Sequence, residues 1–204
     1  MIPARHFARR AGRPAFTLVE LLTAVAIISL LVCLAAGAMG RAKDYARLSI
    51  CKTRLHNLGA SLATYAAENR GRLPVTGQID NPQQELLAAL AGRSAGAEEN
   101  FYCPSQTKPA LMYSPQNLAA GSIGYFYYSC RAATTNRAVS TFLRWEVAYP
   151  RELKDSMPPG TWVMSDCWYS GEPTSHEYYK KGVNYLTLNG AVSMLEASPR
   201  AAFE

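Results

Sequence analysis

The hydrophobic pattern changes character along this chain of 204 residues. Residues 21–39 are almost unbroken apolar, and about 20 such residues span the hydrocarbon core of a membrane as a helix. From Tyr45 onward, apolar residues recur every three or four positions, the period of one helix face. This stripe consists of Tyr45, Leu48, Cys51, Leu55, Leu58, Leu62 and Tyr65.

Both patterns predict one long helix, because no proline interrupts residues 16–73. From Phe16 to about Asn69 it would be on the order of 80 Å long. Residues 16–40 form its transmembrane half, and residues 41–70 form the helical spine of a soluble domain that covers 41–204. Gly71 followed by Pro74 predicts the end of the helix.

The sequence of the rest of the soluble domain predicts a short helix followed by strands. Asn81-Pro82 indicates an N-cap and a first-position proline for a helix over 82–91. Residues 122–196 are rich in aromatic and β-branched side chains. Candidate strands lie at 124–129, 141–148, 161–164, 183–188 and 191–195. Helix first and strands afterwards predict an α+β fold in which the long helix packs on a C-terminal antiparallel sheet.

Asn189-Gly190 is the strongest turn signal in the chain. It separates the last two candidate strands, and both residues tolerate the positive φ angles of a type I′ turn. The sequence therefore predicts a β-hairpin here with a type I′ turn.

Glu20 places a carboxylate at the start of the apolar run. A charged side chain at a helix centre in a bilayer costs about 2.5–3.5 kcal/mol, so we expect Glu20 to have a polar or charged partner. Residues 1–15 hold four arginines and no acidic residue, and removing those four charges from the formal +6 leaves +2. Such a weakly basic remainder gives no reason to expect a nucleic-acid partner.

The N-terminus has several interpretations. A secretory signal would be cleaved near Ala36-Gly37-Ala38, but the apolar run exceeds the 7 to 15 residues of a signal core. A lipoprotein signal ending at Cys33 would place valine where a small residue is expected. An uncleaved membrane anchor explains the length of the run but gives Glu20 no partner.

Residues 13–22, Arg-Pro-Ala-Phe-Thr-Leu-Val-Glu-Leu-Leu, resemble the cleavage and methylation segment of type IV prepilins and type II secretion pseudopilins. The resemblance implies that prepilin peptidase cuts between Ala15 and Phe16 and methylates the new amine of Phe16. Ala15 stands where the family usually has glycine. Glu20 becomes the assembly carboxylate, which approaches the terminal amine of a neighbouring subunit.

The same resemblance implies a pilin-like fold and a structural role in a pilus or pseudopilus filament. The expected partners are the peptidase, other pilin subunits, an assembly platform and the membrane. Residues 1–15 would be a cytoplasmic leader, and a single pass through the inner membrane would place the C-terminus outside. The competing hypothesis is an anchored or secreted binding protein, for instance one that binds glycans, whose N-terminus serves only export.

Five cysteines occur without a Cys-x-x-Cys pair, so their spacing does not suggest a zinc site. Cys33 lies in the apolar run, and the other four are Cys51, Cys103, Cys130 and Cys167. In an oxidising compartment these four permit two disulfides in three connectivities. Some of them are equally well explained as small buried hydrophobic residues.

A second resemblance covers part of the soluble domain. Residues 51–59 and 69–74, with Cys-Pro-Ser at 103–105, look like segments of a pilin-like group known from planctomycetes and their relatives. By this resemblance Cys51 and Cys103 form a disulfide. The group's C-terminal His-x9-Asp-Gly segment is degenerate here, since twelve residues separate His176 from Asn189-Gly190.

No catalytic or metal motif stands out. Ser165, Asp166 and His176 form a hydrolytic triad only on paper, because no spacing rule connects them. Asp166, Glu172 and Glu177 lack the oxygen-ligand repeat of a calcium site. Aromatic residues between 125 and 168 are more often core than a sugar-binding surface. We therefore expect neither an enzyme nor a bound metal or cofactor.

Overall fold

The computed structural model describes residues 16–79, 81–92, 98–129, 152–167, 176 and 182–196, without the side chains of residues 38 and 196. The chain divides into two compact units, residues 1–40 and 41–204. The leader, residues 1–15, lies outside the described residues.

Helix α1 runs without interruption over Leu18–Glu68, which confirms the single long helix. In the second unit its buried face carries most of the predicted stripe, from Leu48 through Leu62, and continues to Ala66. Tyr45 departs from the prediction because its side chain is exposed. The helix ends as predicted near Gly71, whose N–H donates to the Ala66 carbonyl at 2.8 Å after Arg70 turns to a φ of 57°.

The described strands form a four-stranded antiparallel sheet in the order β1-β2-β3-β4. Its members are β1 (Tyr125–Tyr127), β2 (Trp162–Asp166), β3 (Gly182–Thr187) and β4 (Val192–Glu196). Helices and this sheet together confirm the α+β class. Four candidate strands are present, and the fifth, 141–148, lies outside the described residues.

The β3–β4 hairpin is confirmed, but the type I′ turn is wrong. Gly190 has a φ of 81°, whereas Asn189 is not in the positive-φ region. The Thr187 N–H donates to the Ala191 carbonyl, and the Gly190 N–H donates to the Thr187 carbonyl, both at 2.9 Å. This is the pattern of a three-residue loop with glycine at the left-handed position. The Asn189 side chain accepts from the Thr187 hydroxyl instead of enabling a second positive φ.

The short helix starts later than predicted. Helix α2 spans Gln84–Leu90, so Asn81 is not its N-cap. The Asn81 side chain instead pairs with the backbone of Ile123, accepting from its N–H at 2.7 Å and donating to its carbonyl at 2.8 Å. This pairing ties the segment before α2 to the segment that enters β1. A second short α-helix, α3, covers Pro115–Ala119.

The core of the second unit lies between the buried face of α1 and the sheet. Leu55, Leu58 and Leu62 pack in one hydrophobic cluster with side chains from β1, β2 and β3. Gly59 allows a close approach, since a Cβ there would stand 2.9 Å from the Leu186 side chain on β3. This packing places Cys51 of α1 beside the ends of the central strands.

Candidate functional site

The first turn of α1 holds Glu20, the residue predicted for assembly, next to Thr17. The Thr17 hydroxyl accepts from the Glu20 N–H at 3.2 Å, while Glu20 Oε2 accepts from the Thr17 N–H at 2.9 Å and from its hydroxyl at 2.8 Å. This reciprocal pair is a capping box, in which a threonine and a glutamate three residues later satisfy the free N–H groups of a helix start. Glu20 therefore has a partner within its own chain, which the sequence analysis did not foresee.

The residues that follow this turn are apolar and uncovered. Leu18–Gly37 is long and apolar enough to cross a membrane, and none of it is buried within the chain. By length and composition it suits a membrane anchor or a signal sequence. Phe16 is exposed, and Ala15 lies outside the described residues, so the predicted cleavage bond is not described.

A second candidate site is buried in the second unit, residues 41–204, which we call the soluble unit. Four side chains come together there: Cys51, Cys103, Asp166 and His176. One ligand atom from each residue lies within 4.8 Å of those of the other three. Cys51 is on α1, Cys103 is on the loop before α3, and Asp166 ends β2. His176 belongs to the connection between β2 and β3.

Local packing fixes the loop that carries Cys103. Arg54 of α1 donates to the Tyr102 carbonyl at 2.9 Å and forms a salt bridge with Glu99 at 2.9 Å. Gly124 lies against the same loop, because a Cβ there would come within 2.9 Å of the Cys103 backbone nitrogen. The loop is thus held by α1 on one side and by the start of β1 on the other.

Short polar contacts connect the four side chains. The Cys51 thiol donates to Asp166 Oδ1 at 3.1 Å, and Cys103 Sγ lies 3.3 Å from His176 Nε2. His176 Nε2 is also 3.4 Å from Asp166 Oδ2. Both members of this imidazole and carboxylate pair are only 2% exposed.

Asn184 and Tyr125 surround the cluster with further donors. Asn184 on β3 donates its backbone N–H and its side-chain amide to Asp166 Oδ2, at 2.9 and 3.0 Å. The same amide lies 3.6 Å from Cys51 Sγ, and the Tyr125 hydroxyl lies 3.5 Å from that sulfur. These groups direct positive dipoles toward the atoms that carry negative charge when ionised.

Two members of the cluster, His176 and Cys51, have raised pKa values. Burial lowers the pKa of His176, but hydrogen bonding to Asp166 and to Cys51, together with their charges, outweighs this effect and raises that pKa to about 10. Burial, followed by the Cys103 side chain and the Asp166 charge, raises the pKa of the Cys51 thiol well above its ordinary value. His176 therefore keeps its proton at neutral pH, next to the Asp166 carboxyl group.

The structure does not assemble the hydrolytic triad that the residue types allow on paper. The Ser165 hydroxyl pairs with the Tyr128 hydroxyl at 2.6 Å and donates to the Asp166 carbonyl at 3.2 Å. Ser165 and Asp166 are neighbours on β2, so their side chains point to opposite faces of the sheet. The serine is thus directed away from the imidazole. Of the calcium candidates, Asp166 is buried beside thiols, and Glu172 and Glu177 lie outside the described residues.

The structure brings together the two cysteines for which the pilin-like resemblance implied a disulfide. Both are free thiols in the structure. Their Sγ atoms are within 4.8 Å, compared with about 2.05 Å in a disulfide bond. The expected partners are therefore neighbours, and the covalent bond between them stays a prediction.

The cluster was not predicted as a unit from the sequence, although each of its members was a candidate for another role. A metal motif is recognised by closely spaced ligands, and these four residues are far apart in sequence. The available signal was the combination of an unpaired cysteine on the helix stripe with a histidine and an aspartate in the strand region.

Comparisons with protein-family models, with curated proteins and with solved structures found no match to this chain. The described residues thus comprise an α+β unit that holds a buried polar cluster and, before it in the sequence, an apolar helical segment with a capped, acidic first turn.

Proposed function

We propose that this chain is a structural subunit of a pilus or pseudopilus-like filament. In this proposal prepilin peptidase removes residues 1–15 and methylates Phe16, and the apolar part of α1 passes from the membrane into the filament. The soluble unit then forms the outer surface. The subunit acts through other copies or related pilins and an assembly platform.

The observation that carries the proposal is the uncovered apolar segment Leu18–Gly37 of α1. The same helix continues to Glu68 and becomes the buried spine of the soluble unit. Large exposed apolar surfaces on soluble chains mark membrane or protein contacts, so this segment needs lipid or further subunits around it. Helices that pack side by side in a filament satisfy the same requirement as lipid does.

Glu20 supports the proposal through its charge, because the contacts within its own chain do not remove that charge. The capping box satisfies its hydrogen bonds, and the positive end of the helix dipole favours its charge. Neither effect neutralises the carboxylate, so a net negative charge still enters an apolar environment. The amine of Phe16 on a neighbouring subunit would supply the opposite charge.

The buried aromatic residues give no support to the glycan-binding alternative. Tyr125, Tyr127 and Tyr128 are each at most 1% exposed and belong to the hydrophobic core. They are therefore not available as a platform for sugars. Among the tryptophans of this region, Trp162 is half-buried, and Trp145 and Trp168 lie outside the described residues.

Two substitutions separate the charge of Glu20 from its capping role. Glu20→Gln keeps a side chain that completes a capping box but removes the charge. Thr17→Ala keeps the charge but removes the capping hydroxyl, at a cost of about 1 kcal/mol to the helix start. Both variants are expressed with the peptidase and an assembly platform, and we measure membrane insertion, intact mass and the amount of protein in sheared filaments.

The proposal expects mature mass and normal insertion for both variants, with filament incorporation lost in Glu20→Gln and retained in Thr17→Ala. Equal incorporation of Glu20→Gln and the unsubstituted chain would show that the charge has no assembly role. A mass that still includes Met1 to Ala15, with an active peptidase present, would remove the basis of the proposal. In that case the chain is an anchor whose glutamate only caps α1.

A further inference from the structure

We propose that Cys51, Cys103, Asp166 and His176 form a structural Zn²⁺ site inside the soluble unit. The two Sγ atoms, one Asp166 carboxylate oxygen and His176 Nε2 would be its four ligands. The inference does not depend on the filament proposal, because all four residues belong to the soluble unit whatever the apolar segment does.

The spacing of the ligand atoms suits a tetrahedral metal. Zinc lies about 2.3 Å from sulfur and about 2.0–2.2 Å from nitrogen or oxygen, so its ligand atoms stand about 3.3–3.8 Å apart. In the cluster the distance from Cys103 Sγ to His176 Nε2 is 3.3 Å, and the second carboxylate oxygen, Asp166 Oδ2, lies 3.4 Å from the same nitrogen. The Cys51 to Asp166 Oδ1 distance is 3.1 Å. Small adjustments are enough to surround an ion.

The donor set selects the metal. Two thiolates, one imidazole and one carboxylate in a tetrahedral arrangement favour Zn²⁺ over Mg²⁺ or Ca²⁺, which prefer six or more oxygen ligands. Each of the four residues is buried, so the site offers no open position of the kind that a catalytic zinc needs. The geometry therefore points to a structural centre rather than a hydrolytic one.

Metal binding at this site is coupled to the loss of protons, so acidic pH opposes it. Zn²⁺ displaces the thiol protons of Cys51 and Cys103, and His176 coordinates as neutral imidazole, so binding releases protons to solvent. The Cys51 proton is the one that Asp166 Oδ1 now accepts, and its loss makes this oxygen available to the metal. Two thiolates and one carboxylate leave the centre with a single negative charge.

Asn184 and Tyr125 are placed to stabilise that charge. The two N–H groups that Asn184 donates to Asp166 hold the carboxylate in position, and Tyr125 and the Asn184 amide face the Cys51 sulfur. Such outer partners orient metal ligands, and their loss typically costs 10–100-fold in metal affinity. Asn184 is a positioning residue in this proposal, not a ligand.

A disulfide between Cys51 and Cys103 explains less of the cluster. It would use the two sulfurs and leave His176 and Asp166 as a buried ion pair without a role. Buried ion pairs add little net stability, because desolvation offsets their attraction. A metal ion uses all four side chains and joins α1, the Cys103 loop, β2 and the connection to β3 at one point.

The first experiment measures metal and thiols in full-length protein. The chain is extracted in detergent with an alkylating agent present, and zinc per chain is determined by elemental mass spectrometry. We expect about one zinc per chain, loss of this zinc in Cys103→Ser and His176→Gln, and full retention in Cys33→Ser. Cys33 is the matched control because it is an exposed cysteine outside the cluster.

The second experiment needs no ligand substitution and so avoids the risk that a variant misfolds. Zinc is removed by a chelator under reducing conditions, and Zn²⁺ or Co²⁺ is added back to the full-length protein. We expect Zn²⁺ to raise the unfolding temperature, and Co²⁺ to give thiolate charge-transfer bands together with the intense visible bands of a tetrahedral centre. Asn184→Ala should retain these bands with affinity lowered about 10–100-fold.

Three results would overturn the inference. One is a Cys51–Cys103 disulfide in the alkylated extract with no stoichiometric zinc. Another is zinc that survives in His176→Gln but is lost in Cys33→Ser, which would place the metal elsewhere. The third is an unaltered unfolding temperature on Zn²⁺ addition with no thiolate bands from Co²⁺. None of these readouts depends on cleavage before Phe16 or on filament assembly.

Discussion

The two halves of α1 share one backbone but meet their surroundings in opposite ways. Over Leu18–Gly37 nearly all side chains are apolar, with Glu20 the one charged exception, and the described part of the chain does not bury them. Beyond Arg41 only one face is apolar, and the sheet and its loops cover that face. A helix with one apolar face is thus expected to pack against its own chain. A helix that is apolar all round is expected to pack against lipid or another chain.

The largest expected effect comes from a charge in the covered half. Leu58 is fully buried in the core, so Leu58→Asp removes a side chain whose loss alone costs about 2–5 kcal/mol and adds an unpaired buried charge. Thermal unfolding of the full-length protein, followed by near-ultraviolet circular dichroism, should show a soluble unit that is unfolded or nearly so. Ala60→Asp, on the exposed side of the same helix, should unfold close to the unsubstituted chain. Similar curves for Leu58→Asp and Ala60→Asp would mean that the stripe is misplaced.

The same substitution in the uncovered half should act on a different quantity. Leu30 is 62% exposed, so Leu30→Asp should leave the unfolding of the soluble unit unchanged. It should instead weaken membrane insertion by about 2.5–3.5 kcal/mol, which is measurable as protein lost from the alkali-resistant membrane fraction. Leu30→Ala serves as the control for side-chain loss. A fall in unfolding temperature comparable to that of Leu58→Asp would show that this half is also packed by its own chain.

A smaller effect on stability is expected where the β3–β4 hairpin contacts α1. The Gly190 carbonyl accepts from His56 of α1 at 3.1 Å, and Gly190 has a φ of 81° with open space around its Cα. Gly190→Ala therefore costs only backbone strain, about 1 kcal/mol, and should lower the unfolding temperature by about 2–4 °C. Gly160→Ala also meets open space but has no positive φ, so it should change stability very little. Equal stability of both variants would contradict the left-handed assignment at Gly190.

Much of the fold followed from local pattern. Period and length predicted α1, and Gly71 marked its end, because these features depend on neighbouring residues alone. The β3–β4 hairpin was predicted for the same reason. Its turn type was not, because a type I′ turn and a three-residue loop both accept Asn-Gly, and the register of the two strands selects between them.

The buried cluster depends on tertiary packing and was therefore out of reach of spacing rules. Cys51 belonged to a helix stripe and was expected there as a core residue or a disulfide partner. Asp166 had the appearance of an ordinary acid at a strand end. Only the antiparallel pairing that sets Asp166 beside Tyr125, together with the packing of α1 on the sheet, brings these side chains to one point. Asn81 was misassigned for a related reason, since its amide pairs with a residue far along the chain.

The capping box at the start of α1 bears on how specific a processing motif is. Thr17 and Glu20 satisfy the rule for an ordinary helix start, and any membrane anchor that begins with a threonine and a glutamate three residues later would form the same contacts. A match at these two positions is therefore explained by a helix start as well as by recognition by the peptidase. The residues that add independent information are those with no capping role, from Arg13 to Phe16 around the proposed cleavage site.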